Sequence, residues 1–206
     1  MATKATQRKV LAVLAGGLVL GIGTAVTLAV WNDSEFANGT FTAGAFNLQG
    51  STDGTAYADH NSAGTAATLA FTLPAGLVGN MSPTSSVYAG FWVRLAAGTT
   101  SGANLVADGT TADPAASSNT GHLSYSIYQL APGATCNAAS ATGTPIATGA
   151  TLDVQTGVTQ VPLTAGGTSA VPGTAVQLCF KVTADASLTP SLVTNATWKF
   201  TATSTN

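Results

Sequence analysis

The sequence predicts an all-β protein: an antiparallel β-sandwich of jelly-roll type, preceded by an apolar N-terminal signal helix. Three observations lead there. Apolar and polar residues alternate strictly in several short segments, clusters of Gly, Ser, Ala, Asn and Pro separate those segments, and no helical period appears after residue 40.

The clearest segment is 87–95. Val87, Ala89, Phe91, Val93 and Leu95 share one face, and Tyr88, Gly90, Trp92 and Arg94 share the other. In 123–130, Leu123, Tyr125 and Ile127 lie on one side with Gln129. In 176–182, Val176, Leu178, Phe180 and Val182 point one way and Gln177, Cys179 and Lys181 the other. In 196–203, Ala196, Trp198, Phe200 and Ala202 oppose Thr197, Lys199, Thr201 and Thr203. A period of two puts alternate side chains on opposite faces of a sheet, so each segment reads as a half-buried antiparallel strand. Residues 40–48, 68–73, 104–107 and 151–154 are less regular strand candidates. The stretches 112–121 and 166–173 carry turn residues. Many short strands with such punctuation argue for a jelly-roll sandwich.

The N-terminus is of another kind. Lys4, Arg8 and Lys9 precede a charge-free apolar run over 10–30. A basic start followed by an apolar stretch is the pattern of a secretory leader. At this length the run could also span a bilayer as an uncleaved anchor, which would be the chain's one contact with a membrane. Thr27, Leu28 and Ala29 place small residues where a signal peptidase reads them. Cleavage is therefore expected after Ala29, or one bond later after Val30, so that the mature chain begins at or beside Trp31. Residues 1–30 form the leader in this division, and 31–206 form a single sandwich domain.

Composition narrows the function. Charged residues are 7% of the chain, against about 25% in average soluble proteins. Beyond Val30 there are three basic and eight acidic residues, a formal charge of 3 − 8 = −5. Three scattered basic residues (Arg94, Lys181, Lys199) give no footprint for nucleic acid. Two cysteines, Cys136 and Cys179, in an exported chain suggest one disulfide, tying the 132–139 loop to the strand that carries Cys179.

Chemistry-bearing patterns are sparse. The histidines, His60 and His122, have no H-x-x-x-H, C-x-x-C or EF-hand spacing around them. Serines abound without a G-x-S-x-G elbow. The aspartates, Asp53, Asp59, Asp108, Asp113, Asp153 and Asp185, sit near turns, where such residues cap the backbone. No cofactor, metal site or catalytic residue is assigned, and the chain is read as non-enzymatic.

One further set of residues carries a resemblance. Gly23-Thr24 lies in the apolar run, Trp31-Asn32-Asp33 follows it, and Phe41-x-x-Gly44-x-x-x-Leu48 opens the mature chain. In this order the three elements resemble proteins exported by a SipW-type signal peptidase, the family of TasA and camelysin (CalY). The C-terminal residues 179–183 and 196–203 look like the closing strands of its actinobacterial-type members. The resemblance implies a jelly roll, a SipW-type peptidase as partner during export, and a place at the cell surface or in the extracellular matrix. It also implies self-association into fibres. In that reading the segment after cleavage acts as a donor strand, with Trp31, Phe36, Phe41, Phe46 and Leu48 as its apolar positions. The same aromatics could equally complete the protein's own sandwich. Two other readings stay open: a monomeric surface binding or adhesion module with loop aromatics such as Tyr57 and Tyr88, and a secreted hydrolase.

Overall fold

The computed structural model describes residues 3–25, 35, 37–40, 44–73, 76 and 80–205. The chain divides into two units, 1–42 and 43–206.

In the first unit, α1 spans Lys4–Ala25. Its apolar residues fall on every side of the helix rather than in a stripe. Val10, Leu11, Val13, Leu14 and Leu18 are all exposed. Among the described residues no helix is long and apolar enough to cross a membrane. The expected cleavage region, Thr27, Leu28, Ala29, Val30 and Trp31, lies outside the described residues.

Among the described residues the second unit contains eight strands: β1 (Leu48–Ser51), β2 (Ser86–Leu95), β3 (Gly102–Ala112), β4 (Leu123–Gln129), β5 (Ala147–Gly149), β6 (Val161–Leu163), β7 (Val176–Ala184) and β8 (Ala196–Thr205). They form two antiparallel sheets packed as a sandwich, one ordered β1-β2-β7-β4-β5 and the other β6-β3-β8. The alternation read from the sequence fixes which side chains meet. Opposite β7, β2 places Ala89 against Phe180, Phe91 against Leu178 and Val93 against Val176. On the far side of β7, Tyr125 and Ile127 of β4 face Val182 and Phe180. Leu105 from β3 and Val161 from β6 close the core from the second sheet, both fully buried.

The strand β3 shows how an irregularity is accommodated. Its register on β8 shifts between Ala107 and Thr110. Gly109 sits there at φ 111°, which a side chain would resist. The backbone groups freed by this bulge are taken up by one side chain: Gln155 Nε2 donates to the Ala107 carbonyl, and the Gly109 N–H donates to Gln155 Oε1.

The less regular candidates change most. Residues 40–48 do not form a strand as drawn. The ladder begins at Leu48, Ala45 makes one isolated bridge to Thr99, and 41–43 lie outside the described residues. In 68–73 only Thr72 pairs, through a single bridge to Tyr88. Residues 104–107 are the middle of the longer β3. Residues 151–154 are a turn: Thr148 and Thr156 bridge across it, and the strand is β5 just before. β5 and β6 are each three residues long, too short for alternation to register. Pro162 in β6 is tolerated because β6 is an edge strand.

Candidate functional site

The disulfide lies where the sequence placed it. Cys136 and Cys179 are bonded, with Cα atoms 5.3 Å apart. Cys179 points to the outer side of β7, yet it is fully buried, because the bonded loop folds over it. Leu130 and Ala141 pack against it there.

The titratable residues are held by local partners. Ser51 Oγ and the backbone N–H groups of Thr55 and Ala56 all donate to Asp53, which holds its carboxyl far below the usual range. Lys199 Nζ and Thr201 Oγ1 donate to Asp108 and lower it too. Asp59 accepts from the Asn47 amide, Asp113 from Asn195, and Asp153 from the Thr151 hydroxyl. His122 Nδ1 lies 3.0 Å from Asp185 at the surface and lowers that carboxyl, helped by the Ser187 N–H. His122 itself closes a short 3-10 turn ahead of β4. Among the described residues, no group of three or more His, Cys, Asp or Glu side chains could hold a metal ion.

A large concavity lies along β8. As the last strand of its sheet, β8 pairs with β3 alone among the described residues. Its other edge faces a groove of about 1280 Å³, bounded across the gap by Leu48, His60, Leu69 and Phe71. The floor is aromatic. The Trp198 ring meets Phe180 at 5.1 Å and Tyr125 at 5.5 Å edge-on, and Phe71 at 6.4 Å. The Phe200 ring meets Phe180 at 6.0 Å and Phe91 at 6.4 Å. Trp198 and Phe200 are only half-buried; among the described residues no strand covers them on the open side. The Trp198 indole N–H, the Tyr125 hydroxyl and His60 Nδ1 are buried without a hydrogen-bond partner among the described residues. Burial pushes the Tyr125 phenol up to about 12; the nearby Trp198 indole pulls the other way by less.

The expected donor-strand positions divide. Leu48 belongs to the protein's own β1, paired with Leu95 and packed on the core. Phe46 lines the groove and is 43% exposed. Trp31, Phe36 and Phe41 lie outside the described residues. Of the loop aromatics, Tyr57 is stacked under the Arg94 guanidinium at 3.8 Å, and Tyr88 packs beside the disulfide cluster. Sequence reasoning found the aromatic face of β8 but not the groove. The groove depends on β8 being an edge strand, and no local pattern encodes strand order.

Compared with known proteins, the chain matches no family model, and no curated protein matches it.

Proposed function

We propose that this chain is a non-catalytic, exported structural subunit of surface or matrix fibres, related to the TasA and camelysin proteins and released by a SipW-type signal peptidase. In this reading, copies join when the N-terminal segment of one subunit lies along β8 of the next. The observation that carries it is the edge of β8, unpaired among the described residues, beside an aromatic groove. An open edge presents a row of N–H and C=O groups to an incoming strand, and alternate side chains of that strand would fill the groove. Phe36 and Phe41 are the anchors the segment offers. A fourth strand in the second sheet would also bring the sandwich closer to a jelly roll, which has two comparable sheets. The disulfide supports an oxidising, extracytoplasmic location.

The test removes residues 31–39 and follows assembly by electron microscopy. Filaments are expected from the intact mature chain and lost from the truncated one; filaments that persist unchanged would sink donor-strand assembly. The second reading, a monomeric binding module, is favoured by the uncharged recess on the outer face described below. A persistent monomer at high concentration in size-exclusion chromatography would support that module over the fibre.

A further inference from the structure

On the outer face of β2, a glycine stands between two aromatic residues: Tyr88, Gly90, Trp92. A glycine inside a strand weakens it and often marks a close approach. Here the approach is by Trp92. A methyl group at Gly90 would lie 2.9 Å from Cη2 and 3.1 Å from Cζ3 of the indole. The ring therefore leans back over Gly90, along the sheet. At its other end Gly54 packs close to the indole, where a methyl group would come within 3.2 Å of Cε2. Both glycines thus leave room for the indole, and Trp92 lines a recess of about 300 Å³.

The surroundings of that recess are polar but uncharged. Gln177 stands opposite Trp92 in the ladder and is only 5% exposed. Its side-chain amide makes no hydrogen bond to the described residues, and its Nε2 lies 3.6 Å from the position of a methyl group at Gly90. Thr72 supplies one wall. Thr135 supplies the other, on the loop that the disulfide fastens over β7. No lining residue is charged. The Gln177 amide offers both a donor and an acceptor to whatever enters the recess. A flat ring beside it offers an apolar face.

We infer that this recess binds one unit of a neutral saccharide, with the sugar's C–H face on Trp92 and a pair of its hydroxyls on the Gln177 amide. A pyranose ring has both surfaces the site calls for, and the lack of charge argues against an ionic ligand. The walls are fixed before binding by the disulfide and by the two glycines, which reduces the ordering cost of capture. The inference is independent of fibre assembly, since the recess lies on the outer face of the five-stranded sheet and the groove along β8 opens between the sheets.

The test titrates the full-length chain with cellotriose, chitotriose and mannotriose by calorimetry and saturation-transfer NMR. Saturable binding of at least one is expected. Trp92→Ala and Gln177→Ala should each weaken it roughly tenfold, the equivalent of one lost contact of this kind. Gly90→Ala, which lifts the indole, should weaken it as well. Trp92→Phe keeps a ring in place and should retain binding, which separates loss of the site from loss of the fold. The inference is overturned by no saturable binding of any of the three, by binding that Trp92→Ala and Gln177→Ala leave unchanged, or by adenosine binding there more tightly than every sugar.

Discussion

Strands β7 and β8 carry the same kind of sequence, an apolar residue at every second position with aromatics at the centre, and they end at different depths. In β7, Leu178 and Phe180 are 0% and 1% exposed. In β8, Trp198 and Phe200 are half-buried, although both rings touch Phe180. The difference lies in position. β7 is the middle strand of five, paired on both sides and covered by the second sheet. β8 ends a sheet of three. Alternation decides which way a side chain points; the number of neighbouring strands decides how deeply it is buried.

The comparison can be broken by truncation. Phe180→Ala should cost about 3–5 kcal/mol, the usual range for a large side chain removed from a packed core. Phe200→Ala should cost about 1–2 kcal/mol, since part of its surface already meets water. Urea unfolding of both variants at low concentration measures the gap. Equal losses would mean that something covers β8 in solution, either the protein's own N-terminal segment or a second copy.

Next in size is the disulfide, which belongs to the deep side of the comparison. It spans a sequence separation of 43; closing a loop of that length stabilises by about 4 kcal/mol in chain-entropy terms, and measured values often fall nearer 2. Replacing both cysteines by alanine should lower the urea midpoint accordingly. A midpoint left unchanged would show that the loop over Cys179 holds without its bond.

The smallest effect sits at the seam between the two regions. Tyr125 is on β4, and its ring packs edge-on against Trp198 of β8. Its folded pKa lies at about 12, above the ordinary 10. The neutral phenol is thus favoured by folding. The stability it contributes is fully present below pH 10 and is lost as pH rises from 10 through 12. Absorbance at 295 nm should show one tyrosine ionising late, together with unfolding. Should every tyrosine titrate near pH 10 while the fold persists, β8 would be lifting away from β4 readily.

Legibility followed the same division. The four long alternating segments became β2, β4, β7 and β8 with the faces read from their sequence. Cys136 and Cys179 were legible because a chain with two cysteines has one internal pairing to offer. The three-residue strands β5 and β6 were not legible, since alternation over so short a run is indistinguishable from chance. The recess at Gly90 was hidden for another reason. Gln177 and Thr135 reach it only through the β2–β7 register and the disulfide-bound loop, and neither has a local signature.

By itself the sequence determined an all-β unit behind a basic and apolar N-terminus, the inward face of each long strand, and the cysteine pair. These rest on local periodicity and composition, which a chain carries wherever it folds. Only the tertiary structure decided that the sheets hold five strands and three, that β8 is left as an edge beside an aromatic groove, and that Trp92 lies over Gly90. Those outcomes depend on which strands become neighbours, and that choice is made by the packing of the whole core.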